Sequence, residues 1–238
     1  MKTQIKTGLW AIMILLLTSC GPTIYYQVYQ VAPGEKMKSN ENSLLYEDDN
    51  CIVSYNLWAE RGDIGFRCYN KTNSNIYVNL EESFFILNGI AHDYFKNRVY
   101  SFAAGSYSED NIICIPPKAA KMVAEYNINE TIYRDCDLYR FPARQKHIKT
   151  KSFTKDDSPI VFGNRIAYSV GESSNLIRCE NFFYVSEITN YPMGDMIGYK
   201  SDEFCGKKSF MYQYFKLAAP NRFFVKYLKV KMFGNDKH

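Results

Sequence analysis

The chain has 238 residues, a hydrophobic content of 46% and a formal net charge of +4. That much apolar residue excludes a disordered chain, and so small an excess of basic charge lacks the electrostatic footprint of a nucleic-acid binder. One domain is the expected organisation at this length, with two small ones as the alternative.

The first predicted element is a leader. Lys2 and Lys6 precede an unbroken apolar run of nine residues, Leu9 to Leu17, which is too short for a membrane span of about 20. A basic flank, a short apolar run and small residues at its end form the signature of a processed secretory signal rather than of a buried helix. The run closes on Leu17-Thr18-Ser19-Cys20, which resembles the lipobox of bacterial lipoproteins. That resemblance implies a signal peptide over 1–19, cleavage before Cys20, a diacylglyceryl thioether on its sulfur and a further acyl chain, palmitate included, on the new amino group. Two or more chains anchor a protein stably to a membrane, where one is marginal. Gly21 stands where an inner-membrane retention signal would carry Asp, so the resemblance points to the outer membrane. Loss of the leader leaves 27 basic against 25 acidic residues, a net charge of +2. Residues 20–33 are expected as lipid anchor and tether, and 34–238 as the folded domain.

Beyond the anchor the recurring signal is period-two alternation rich in aromatic and β-branched residues. A strand is expected at 24–31, where Tyr25, Tyr26 and Tyr29 lie just past the anchor. Cys51, Val53, Tyr55 and Leu57 alternate with Ser54 and Asn56; Ile64, Phe66 and Cys68 alternate with Gly65 and Arg67. A hairpin around residues 60–63 would set position 59 against 64. Ile76, Val78 and Leu80 continue the alternation, and Asn88-Gly89 between two apolar runs is a strong hairpin signal because both residues take positive φ. Residues 118–128 fit a helix after Pro116-Pro117 or a strand, the strand being favoured because its neighbours are strands. Further strands are expected at 160–169, 182–190, 208–217 and 222–233. In the last, the apolar phase changes between Val225 and Leu228, which reads as a bulge near Tyr227 or as a strand buried on both faces. Residues 34–50, 101–111, 140–159 and 191–205 read as loops. Many strands with almost no helix predict an all-β antiparallel β-sandwich, with the immunoglobulin type among the candidates.

Six cysteines remain once Cys20 is assigned to the anchor, an even number in an oxidising compartment and hence a disulfide signal. In the expected hairpin Cys68 would face Tyr55, leaving Cys51 about 13 Å along its strand, beyond bridging reach. Cys114 with Cys136 and Cys179 with Cys205 are the local pairs left as candidates; the alternative is several free, buried thiols. The stretch from Asn70-Lys71-Thr72 to Asn88-Gly89 is similar to small β-sandwich lipoproteins of gut Gram-negative bacteria, a resemblance that brings no activity with it.

Signatures of catalysis are missing: there is no Gly-x-Ser-x-Gly elbow, no His-Glu-x-x-His helix and no phosphate-binding glycine loop. No cofactor, metal site or catalytic residue is therefore expected. His92 would face Phe85 on a half-exposed hairpin, and the pairs Asp48-Asp49, Glu81-Glu82 and Asp156-Asp157 read as solvated acidic residues rather than as the facing carboxyls of a glycosidase. The segment 140–155 concentrates Arg140, Arg144, Lys146, Lys149, Lys151 and Lys155 with no acidic residue, a candidate surface for anionic ligands set against the plainer reading of a solvated connection. Twenty Tyr and sixteen Phe serve mainly as core, with exposed tyrosines able to stack on sugar rings. The expectation is a non-enzymatic, lipid-anchored cell-envelope binding or assembly module. It would meet the membrane through lipidated Cys20 and take a glycan, lipopolysaccharide or envelope protein as partner, with no nucleic acid. The alternative is a carbohydrate-active or other hydrolytic enzyme with an unrecognised site.

Overall fold

Alternating apolar residues close two antiparallel sheets over one core. The structure, a computed structural model, describes residues 23–95, 111–123, 126–128, 150–204 and 206–229. The first elements in chain order are β1 (Thr23–Pro33), β2 (Lys38–Ser39), β3 (Leu44–Glu47), β4 (Cys51–Tyr55), β5 (Phe66–Asn70), β6 (Ile76–Leu87) and β7 (Ile90–Asp93). There follow β8 (Ile112–Ile115), β9 (Ala120–Val123), β10 (Thr150–Ser152), β11 (Val161–Val170) and β12 (Ile177–Pro192). A helical turn, α1 (Met193–Met196), then leads to β13 (Ile197–Phe204), β14 (Lys207–Phe215) and β15 (Arg222–Lys229). The larger sheet runs β15-β1-β12-β11-β6, with β7 and β8 side by side on the far edge of β6 and β10 beside β12. The smaller sheet is β2-β3-β4-β5-β9, and β13-β14 form a separate two-stranded ribbon. The chain is thus all-β, an antiparallel sandwich as the sequence predicts.

The core between the sheets is aromatic. Tyr29, Tyr55, Phe66, Phe162, Phe183 and Phe223 are all essentially inaccessible, and each such side chain contributes about 1.5–3 kcal/mol by leaving water. The Tyr29 and Phe223 rings stack 4.6 Å apart and 5° from parallel, while Tyr55 meets Phe183 edge-on across the sandwich at 5.2 Å. Polar side chains tie the two sheets together. Asn181 Nδ2 donates to the Tyr55 hydroxyl at 2.8 Å, the Tyr168 hydroxyl donates to Asp48 at 2.7 Å, and Asn70 Nδ2 donates to the Ile115 carbonyl at 3.0 Å. Buried polar groups need such partners, since an unpaired one costs about 1–3 kcal/mol.

Several expectations hold and others are corrected. Asn88 and Gly89 both take positive φ and join β6 to β7, with His92 opposite Phe85. Residues 120–123 are strand, so the helix reading fails. β15 keeps one register against β1 throughout, with no bulge; Phe223 and Val225 face the main core and Phe224 a second cluster on the outer face, where Lys226 and Leu228 are exposed. The strand expected at 24–31 is present as β1, a full strand of the larger sheet buried at Tyr25, Tyr26, Val28, Tyr29 and Val31. Within the expected loop 34–50 lie β2 and β3, and within 191–205 lie α1 and β13.

The hairpin register at 51–70 is shifted. Cys51 pairs with Asn70 and Val53 with Cys68, two residues from the expected alignment, so the same side chains face inward but opposite different neighbours. The cause is the connection 56–65. Leu57 N–H donates to the Pro220 carbonyl, Arg61 N–H to Phe224 and Ile64 N–H to Tyr126, so the two strands part early to engage distant segments instead of closing in a tight turn. Cys51 consequently lies diagonal to Cys68, and contact with that thiol together with burial pushes the Cys51 thiol far above the ordinary thiol range. All four described cysteines, Cys51, Cys68, Cys114 and Cys179, are free thiols. Cys136 and Cys205, the candidate partners of Cys114 and Cys179, lie outside the described residues.

Candidate binding surface

The outer face of the larger sheet carries a second apolar cluster where β1 and β15 meet. Tyr26 and Val28 point outward from β1 and Phe224 from β15, and they are covered by Met196, Ile197, Phe215 and Trp58. The cover follows from local sequence. Pro192 ends β12 in extended conformation and α1 reverses the chain, which lays Ile197 back on the sheet. Lys216 clips the turn closed, its N–H donating to the Met196 carbonyl at 2.9 Å and its Nζ to that of Gly194 at 2.7 Å. Phe215 packs between Phe224 at 4.8 Å, Trp58 at 5.4 Å and Tyr26 at 6.2 Å.

Beyond this root the β13-β14 ribbon exposes its aromatic residues. Among the described residues nine large hydrophobic side chains are exposed, and four of them, Tyr199 (54%), Met211 (70%), Tyr212 (41%) and Tyr214 (38%), share this ribbon. Single exposed apolar residues are ordinary; a cluster of them marks a contact surface. Register assigns the two faces. Tyr199 opposes Gln213 and Ser201 opposes Met211 on the face continuous with Ile197 and Phe215, and Gln213 Nε2 donates to the Tyr199 hydroxyl at 3.1 Å.

On the other face Lys200 opposes Tyr212 and Gly198 opposes Tyr214. The Lys200 ammonium sits 5.4 Å from the Tyr212 ring centre and 4.9 Å from that of Tyr214, a cation–π contact with both. The Tyr214 ring also lies flat against Gly198, where an added Cβ would stand 2.5 Å from it. Two-stranded ribbons are marginal alone; these contacts and the apolar root are what fix this one.

The sequence-derived candidates are placed elsewhere. Cys20, Arg140, Arg144, Lys146 and Lys149 lie outside the described residues. Lys151 is exposed on β10 with its ammonium 5.5 Å from the Phe153 ring centre, and its charge helps hold the Asp157 carboxyl below its ordinary range, after the hydrogen bond from Thr154. Lys155 lines a pocket of about 270 Å³ together with Glu35, Lys36 and Glu180. The charge around these two lysines is thus mixed, carboxylates distant in sequence joining Lys155 and Asp157 lying near Lys151. That pocket also brings together Glu35 and Glu180, the sort of pair a hydrolytic reading would use. Both are exposed, and Glu180 is committed to Arg165 at 2.6 Å. The acidic pair Glu81-Glu82 is exposed at a β6 bulge folded around Asn79, with Glu82 bound to Arg178 at 3.0 Å.

Among the described residues no group of three or more His, Cys, Asp and Glu side chains is arranged to hold a metal ion, and no helix is long and apolar enough to cross a membrane. The ribbon escaped sequence reading as a site because β13 looks like a loop, with Gly198, Lys200, Ser201 and Asp202 interrupting its apolar residues. The available signal was the pairing of Tyr212 and Tyr214 in one phase with Met211 and Phe215 in the other, which leaves no polar face. Comparison of the chain with protein-family models, with curated proteins and with solved structures found no match.

Proposed function

We propose that the protein is a lipid-anchored cell-envelope binding module, non-enzymatic in type, that meets its ligand through the β13-β14 ribbon. The observation that carries this reading is that Tyr199, Met211, Tyr212 and Tyr214 stand exposed on the two faces of one ribbon. Tyrosine supplies a large, stiff, amphipathic contact and is enriched where surfaces are recognised. Attachment rests on the lipobox-like Leu17-Thr18-Ser19-Cys20, from which two residues lead to the first strand at Thr23. With so short a link, acylation of Cys20 would hold the sandwich itself close to the bilayer.

A photoreactive phenylalanine analogue placed at position 212 in the expressing bacterium tests the reading. Irradiation should yield adducts at that position and none from the same analogue at Ile90, an exposed residue of the β6-β7 hairpin. Equal labelling at both positions, or none at 212, would remove the ribbon as the contact surface.

A further inference from the structure

Beside the ribbon root lies a recess of about 180 Å³ lined by Trp58, Asn56, Asn42, Glu41 and residues 218–220. We infer that this recess is a binding subsite for one neutral pyranose ring of a polysaccharide, a deepening that rests on the reading of the chain as a binding module.

The recess combines one aromatic wall with several polar groups. Trp58 is held from behind by Phe215 and Phe224, with ring centres at 5.4 and 5.1 Å, so its indole is a fixed wall rather than a mobile side chain. Asn56 accepts the Trp58 backbone N–H on its Oδ1 at 3.1 Å, which orients its exposed NH₂ as a donor. The turn carrying Asn42 is set by Asn40, whose Oδ1 accepts the Asn42 and Ser43 backbone N–H groups at 2.9 and 2.7 Å. Glu41 adds an exposed carboxylate acceptor.

A pyranose matches this set. Its ring C–H bonds offer an apolar face for an indole, and the hydroxyls around its rim both donate and accept, as carboxamides and a carboxylate require. An aliphatic ligand would leave those amides unanswered, and a phosphate or uronate would meet Glu41 at close range. Neighbouring rings of the same polymer would lie towards the root of the tyrosine ribbon, since Phe215 joins Trp58 to β14.

Trp58 and Trp10 are the only tryptophans, so the full chain carrying Trp10→Phe, held in a sugar-free detergent, reports on the recess through its indole emission. The probes are hexasaccharides of glucose, xylose, mannose and N-acetylglucosamine, with hexagalacturonate as the anionic counterpart. At least one neutral probe should shift the emission saturably. Asn56→Ala should weaken that probe at least tenfold. Because Asn56 also braces Trp58, Asn42→Ala, a change at an exposed side chain, should weaken it several-fold on its own. A silent indole with every neutral probe, tighter binding of hexagalacturonate, or unchanged affinity in both variants would overturn the subsite. If the indole is silent while position 212 still labels in cells, the sugar site falls and the binding module stands; if both are silent, both fall.

Discussion

Asn181 and Tyr55 join the two sheets at the centre of the sandwich, the Asn181 Nδ2 donating to the Tyr55 hydroxyl at 2.8 Å where neither residue reaches solvent. Among the described residues Asn181 Oδ1 has no partner, so this bond is the amide side chain's one tie there. Tyr55→Phe would leave the whole amide buried and unpaired. It should cost about 1–3 kcal/mol of stability, measured by denaturant unfolding; an unchanged midpoint would contradict the tie.

Gly163 sits opposite Phe182 in the antiparallel β11-β12 pair, and an added Cβ would stand 2.3 Å from the Asn181 carbonyl oxygen and 2.8 Å from the Phe182 Cα. Main chain cannot step aside as a flexible side chain can. Gly163→Ala should therefore destabilise by about 1–3 kcal/mol or more, whereas Gly89→Ala, with nothing within 4 Å, should show only the smaller cost of its positive φ. Equal thermal midpoints for the two variants would refute the difference.

Stability should decline in alkali. Burial, with the Asp48 charge second, pushes the Cys179 thiol up from 9.0 to about 12 and the Tyr46 phenol up from 10.0 to about 12, and burial raises Tyr55 and Tyr168 as well. These acids hold protons in the native state that the unfolded chain has already released. Their stabilising effect is complete below about pH 9 and is lost as pH rises towards 12. Melting curves taken between pH 8 and 12 should fall progressively, and a flat profile would contradict the burial of these groups.

Much of this architecture is legible in the sequence, and the losses have physical causes. Period-two alternation found β4, β5, β6, β11 and β12, and Asn88-Gly89 gave its hairpin. What alternation cannot give is register when the connecting loop finds its hydrogen bonds elsewhere: residues 57, 61 and 64 answer to 220, 224 and 126, partners invisible from the hairpin alone. The phase change in β15 is no bulge: Phe224 is covered by α1 and the ribbon root on the outer face, while Leu228, in the same phase, stands exposed. The Trp58 recess gathers residues 41–58 with 218–220, which no local pattern links.

Cys51, Cys68 and Cys179 are 0–2% exposed, whereas Cys114 is half-buried. Alkylation of the native chain, read out by peptide mass spectrometry, should modify Cys114 well before any of those three. All four should react together once the chain is unfolded. Native labelling of Cys51 or Cys179 as fast as Cys114 would show that the sandwich core is open.

The central claim is that the tyrosine ribbon makes the contact. The measurement is retention of detergent-solubilised envelope material from the expressing bacterium on the immobilised full chain, whose anchor is then held in micelles, compared with the triple variant Tyr199→Ser, Tyr212→Ser, Tyr214→Ser after both have been shown to melt at similar temperatures. These rings are exposed, so the fold should survive their loss. The account predicts at least a tenfold fall in retention, about 1.4 kcal/mol of binding; retention equal to that of the unaltered chain would contradict it.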